Sequence, residues 1–149
     1  MLSGKRRVEV LGQLRGGPAS GLAQSASERL AGLYSTDASI IAWWATRVEC
    51  DSAIARLERQ GELTPEAASA AMRRLDLLSR RWHEIQPQDV LRETARRLLR
   101  VHNLRAADAL QLAAALQAAE QRPSSLDFVC LDDRLRLAAQ REGFPLLGE

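Results

Sequence analysis

Short apolar runs that alternate with helical segments predict an α/β fold built on a mainly parallel sheet. The run Ile40-Ile41-Ala42-Trp43-Trp44-Ala45 has strand length and leads straight into a helical pattern. Phe128-Val129-Cys130-Leu131 does the same. Strands separated by helices connect through crossovers, which make neighbouring strands parallel and cover the sheet on both faces. At 149 residues the chain suits one domain, large enough to bury about two-thirds of its surface. Residues 25–149 read as that domain. Residues 1–24 read as an atypical, poorly ordered N-terminal segment, because they lack alternating apolar residues and carry Gly16-Gly17-Pro18.

In chain order, Ser25 to Leu33 reads as a short helix and Ile40–Ala45 as a strand. A helix from Thr46 to Gln60 ends at Gly61, with Thr46 as N-cap and Val48, Ala53, Ile54 and Leu57 among its apolar residues. Thr64-Pro65-Glu66 starts the next helix, Thr as N-cap and Pro at the first helical position, and it runs to about Arg81. Trp82–Ile85 is a short strand stopped by Pro87. Asp89–Arg100 is a helix with Leu91, Ala95, Leu98 and Leu99 facing inward. Leu104–Leu116, rich in Ala, Leu, Arg and Gln, is the strongest helix former of the chain. The Phe128–Leu131 strand, a helix from Arg134 to Arg141 and an apolar end at Phe144–Leu147 complete the series.

Composition bounds the function classes. Signs of charge are interspersed over the 27% charged residues, and a net charge of +2 is too small to argue for nucleic-acid binding by itself. Lys5 is the only lysine, so the basic side is almost all Arg. Cys50 and Cys130 lack metal-site spacing and do not demand a disulfide. No apolar run approaches the ~20 residues of a transmembrane helix. Lys5-Arg6-Arg7 is not followed by the apolar stretch of a secretory signal, which leaves a cytoplasmic protein as the expectation. Gly16-Gly17-Pro18 lacks the strand and the Lys-Ser/Thr of a phosphate loop. His83 and His102 read as structural or solvated, and Trp43, Trp44 and Trp82 as packing residues.

Three acids carry the chemistry. At helical spacing Leu104, Asp108, Leu112 and Ala115 share a face, so a carboxylate sits inside an apolar stripe and needs a cation, a metal or donors beside it. Glu49 lies three residues after Thr46, where a capping box is the plain structural explanation. Asp132 and Asp133 end the Phe128–Leu131 run, where an N-cap is the plain explanation and Asp133 the expected cap. Glu49 and Asp132 nevertheless fall just past the carboxyl ends of two strands, where open α/β sheets gather ligands.

The segments Thr46-Arg47-Val48-Glu49, Leu104-Arg105-Ala106-Ala107-Asp108-Ala109-Leu110-Gln111-Leu112 and Phe128-Val129-Cys130-Leu131-Asp132-Asp133-Arg134-Leu135 together resemble the PIN domain, specifically the VapC-like toxins of toxin–antitoxin pairs. The resemblance spans roughly residues 36–147. It implies a three-layer α/β/α fold and a Mg2+-dependent endoribonuclease, with Mn2+ as an alternative ion. Glu49, Asp108 and Asp132 are then the metal-binding, catalytic acids, with Asp133 as understudy for Asp132. Carboxylates gathered this way relieve their repulsion on a hard divalent cation with retained waters. Arg105, one turn before Asp108, becomes a candidate contact to substrate phosphate or to the partner, against the plain reading of a solvated surface Arg. The implied partners are an RNA substrate, a VapB-like antitoxin and a second copy in a homodimer.

The chain departs from the family at its start. Family members begin with an apolar strand ending in Asp-x-Ser/Thr, whereas this chain reads Val8-Glu9-Val10-Leu11-Gly12-Gln13-Leu14. Asp37-Ala38-Ser39 imitates the motif but precedes a strand. Codons for Val8–Gly17 read one base later permit Trp-Lys-Tyr-Trp-Asp-Ser-Ser-Ala-Val-Val, with the Asp about 36 residues before Glu49. The expectation is a frameshift, restored near Ser25, that leaves the first strand damaged or absent. The alternatives are a catalytically impaired PIN-like protein that acts only by binding an antitoxin or itself, and a helical interaction module whose acids are caps and surface residues.

Overall fold

The computed structural model describes residues 7–9 (backbone only), 40–130 and 132–147. The helix expected at Ser25–Leu33, Asp37 and most of the N-terminal segment lie outside these residues. The described residues fall into two compact units, a sheet unit (7–9, 40–44 and 82–147) and a helical hairpin (45–81).

The sheet unit contains β1 (Arg7–Glu9), β2 (Ile40–Trp43), β3 (His83–Ile85), β4 (Asp127–Val129) and β5 (Leu146–Leu147) in the order β3-β2-β1-β4-β5. Every pairing among them is parallel. The fold is therefore mixed α/β with short parallel strands, as the alternation of runs predicts. All four residues of β2 are buried, the pattern of a parallel strand covered on both faces. The first strand, expected to be damaged or absent, is present over three residues. Arg7-Val8-Glu9, as written, takes the central place, Val8 in register with Ile41 on one side and Phe128 on the other. Its single apolar residue between two charged ones hides it from a hydrophobic pattern. A strand formed by the chain as written counts against a shifted reading frame.

Three longer helices belong to this unit: α3 (Asp89–Val101), α4 (Ala106–Ala118) and α5 (Asp133–Glu142). Helix α3 buries Leu91, Ala95 and Leu98 at i, i+4 and i+7. Leu99 is not inward as expected: it lies 100° round from Leu98 and is 42% exposed. Helix α4 is buried along most of its length from Ala109 to Leu116 and packs on both α3 and β2. Its alanines allow that close approach on several sides. The core centres on Leu98, Leu112, Phe128 and Leu135, each 0% exposed. Phe128 and Phe144 stack with centroids 5.3 Å apart. Helix α5 stops at Gly143, whose φ of +100° is the left-handed C-terminal conformation glycine adopts without strain.

The hairpin contains α1 (Thr46–Arg59) and α2 (Pro65–Ser79), which pack on each other. Gly61, at φ +74°, lets the chain reverse after α1. Thr64 caps α2 as expected, its side chain accepting from the Ala67 amide at 3.1 Å. The cap expected at Thr46 does not form. Ala45 is the N-cap residue, Thr46 is already helical, and the Glu49 amide donates to the Ala45 carbonyl at 3.0 Å. That amide is the donor a capping box would need, so no box exists.

Candidate functional site

Parallel strands present all their carboxyl ends at one edge, and a ligand crevice opens where the strand order reverses. Here β2 and β3 extend the sheet to one side of β1 and β4 and β5 to the other. The reversal therefore lies between β1 and β4. Asp132 stands just beyond the carboxyl end of β4, at that switch point.

Asp132, not Asp133, is the N-cap of α5. Its backbone is extended (φ −88°, ψ 123°) and its Oδ1 accepts from the Leu135 amide at 2.9 Å. Asp133 is the first helical residue and is exposed. The cap is locked to the strand end by Cys130: the Asp132 amide donates to Cys130 Sγ at 3.3 Å, and the thiol donates to the Asp132 carbonyl at 3.6 Å. Burial pushes the Cys130 thiol up to about 12, the hydrogen bond to Asp132 draws it down, and the charges of Asp132 and Asp108 raise it further while Arg136 lowers it. Asp108 and Asp132 thus act on one buried sulfur. Asp108 lies in the first turn of α4 and Asp132 at the start of α5, both in the sheet unit.

Glu49 sits half-buried in the first turn of α1, within the hairpin unit. Arg105 is the exposed N-cap residue of α4 and makes no side-chain cap. Asp127 is a buried carboxylate that sequence reasoning passed over. It opens β4 in register with Arg7, so the signal was an acid at the head of an apolar run.

The histidines are placed as expected. His83 is exposed on β3. His102 is buried at the end of α3, with Nε2 2.7 Å from Glu142 Oε1, while Arg97 donates to both Glu142 oxygens at 3.2 and 2.9 Å. Trp43 and Trp82 are buried, whereas Trp44 is 51% exposed and meets Trp43 edge-on at 6.4 Å. Both cysteines are free thiols.

Two carboxylates are hard oxygen donors, and Mg2+ takes one or two of these from protein while keeping waters and substrate oxygens. Asp108 and Asp132 are each donors of that kind. Among the described residues, no group of three or more His, Cys, Asp or Glu side chains is arranged to hold a metal ion. No helix among them is long and apolar enough to cross a membrane.

The chain matches no known family model, and no curated protein is significantly similar to it in sequence.

Proposed function

We propose that this chain is a metal-dependent endoribonuclease of the PIN, VapC-like type, with a three-layer α/β/α arrangement around its parallel sheet. The observation that carries the reading is Asp132, held as the cap of α5 just past the carboxyl end of β4 at the switch point of that sheet, with the charge of Asp108 acting on the same Cys130 thiol. Three motif segments in register supply the family resemblance. Asp108 and Asp132 are the residues that would hold Mg2+ or Mn2+, with Glu49 as the third acid the resemblance implies. A bound ion of this kind polarises a phosphodiester and makes a water more acidic. Asp132 keeps one carboxylate oxygen beyond the one that caps α5, and the cap fixes where that oxygen is held. Buried Cys130 anchors the turn that presents it. A VapB-like antitoxin, a homodimer and a cytoplasmic setting belong to the same proposal.

The test is cleavage of structured RNA by the full chain with Mg2+, with Mn2+ and with EDTA. Asp108→Asn keeps shape and removes charge, and it should slow cleavage at least about 100-fold. Cleavage that persists in EDTA, or that the variant leaves unchanged, would refute the assignment.

A second reading has its own support. The chain lacks the Asp-x-Ser/Thr that opens the family, and no three-acid group stands ready among the described residues. An impaired PIN-like protein that acts by binding an antitoxin or itself predicts no metal-dependent cleavage at all. The parallel sheet leaves no support for a purely helical module.

A further inference from the structure

The carboxyl-terminal end of α2 is rich in arginine. From residue 73 to residue 81 the chain reads Arg-Arg-Leu-Asp-Leu-Leu-Ser-Arg-Arg, four cations against one acid. The one acid is already neutralised, because Asp76 is bonded to Arg47 of α1. That bond joins the carboxyl-terminal half of α2 to the first turn of α1, which contains Glu49. Arg73, Arg74 and Arg80 are exposed and have no ion-pair partner among the described residues.

Helical geometry aligns them. Arg73 and Arg80, seven residues apart, lie within about 20° of each other on the outer face and about 10 Å apart along the axis. Arg74 flanks them on one side. A span of about 10 Å corresponds to about three nucleotides of helical rise. The surface between the arginines carries Leu77, which is 61% exposed. Guanidinium groups are planar forks that bind phosphate in two-pronged fashion. A protein partner would instead need aromatic or large apolar anchors seated in pockets, and this face offers the single Leu77.

We propose that Arg73, Arg74 and Arg80 form a rail that grips the sugar–phosphate backbone of single-stranded RNA at the Glu49 end of the hairpin. The inference rests on the ribonuclease reading for its choice of polyanion, and on the α2 charges for its location.

The experiment measures anisotropy of a labelled, unstructured RNA oligonucleotide bound by the full chain in EDTA, across a salt series. Each phosphate contact to a single strand contributes about 0.7 to the slope of log affinity against log salt. The triple variant Arg73→Gln, Arg74→Gln, Arg80→Gln should therefore flatten that slope by about 2 and weaken binding at least about tenfold at low salt. The triple Lys variant keeps the charge and should keep the slope. The substituted side chains are exposed, and an unchanged circular dichroism spectrum verifies folding. Should the triple variant misfold, each single Gln variant is expected to flatten the slope by about 0.7.

An unchanged slope in the Gln variants overturns the rail. So does a labelled polyglutamate that binds as tightly as RNA and is lost in the same variant, since the face would then be a polypeptide site. Mg2+-dependent cleavage is scored on the same preparations. Slope loss without any wild-type cleavage keeps the rail and refutes the nuclease, whereas cleavage with an unchanged slope does the reverse.

Discussion

Glu142 ties the end of α5 to the end of α3, and its removal is a sharp test of the sheet unit's packing. Its side chain is 14% exposed and accepts from Arg97 and from His102, whose own side chain is 4% exposed. In Glu142→Ala the buried imidazole loses its partner, which costs about 1–3 kcal/mol. Arg97 is 50% exposed, so its share is screened and adds no more than about 1 kcal/mol. Alanine is a good helix former, so α5 itself is not penalised. The expected loss is about 2–3 kcal/mol, and with an m-value near 2 kcal/mol/M the urea midpoint should fall by about 1 M at neutral pH. Fluorescence of the buried Trp43 and Trp82 reads the transition. The hydrogen bond from Arg97 and that of His102 hold the Glu142 carboxyl below its ordinary value of 4.5, against burial, which raises it. A depressed carboxyl contributes stability that is complete above the unfolded value and is lost as pH falls through the folded one. The gap between wild type and variant should therefore narrow in acid, below about pH 4.5. A midpoint unmoved at neutral pH, or a gap that is constant into acid, would refute the tie.

Neighbouring leucines of α3 should separate: Leu98→Ala, at a fully buried position, is expected to cost about 3 kcal/mol, and Leu99→Ala under about 1 kcal/mol in the same urea assay. With its thiol pushed up to about 12, Cys130 should resist a disulfide reagent at neutral pH in the native chain and react on unfolding, while half-buried Cys50 reacts first; mass-spectrometric mapping of the labelled cysteine decides this. Asp132→Asn should keep the α5 cap and hold stability within about 0.5 kcal/mol, whereas Asp132→Ala should lose about 1 kcal/mol. Under the ribonuclease reading both variants lose RNA cleavage, so urea melts and cleavage assays on the pair separate the cap from the site.

Periodicity made most of the described helices legible. Leu91, Ala95 and Leu98 fall on one face of α3, and Thr64-Pro65 announces α2 by the physics of its missing amide and its cap. Strand β2 was legible because a buried parallel strand must be apolar on both faces. Strand β1 was not. Arg7 and Glu9 flank one valine, and the strand owes its place to backbone pairing with β2 and β4 on either side rather than to side-chain pattern. Thr46 and Asp133 misled for a related reason. Both are good cap residues in the right vicinity, yet one residue of phase decides which backbone turns helical. Asp132 met the requirement of extended geometry with a free amide three residues on, and Thr46 did not because Ala45 had already taken the Glu49 amide.

The structural and catalytic explanations of Asp132 are therefore not rivals. A carboxylate that caps a helix is held by one oxygen in a fixed place, and preorganisation of this kind is what a hard cation or a phosphodiester requires of its site. Cys130 adds to the hold through its two contacts with the Asp132 backbone, and the same sulfur reports the charge of Asp108 from a different helix. The sheet order turns back between β1 and β4 and so sets the carboxyl end of β4, and the residue after it, at the crevice. Under the ribonuclease reading, the oxygen of Asp132 that the cap does not use is the one such a site would draw on.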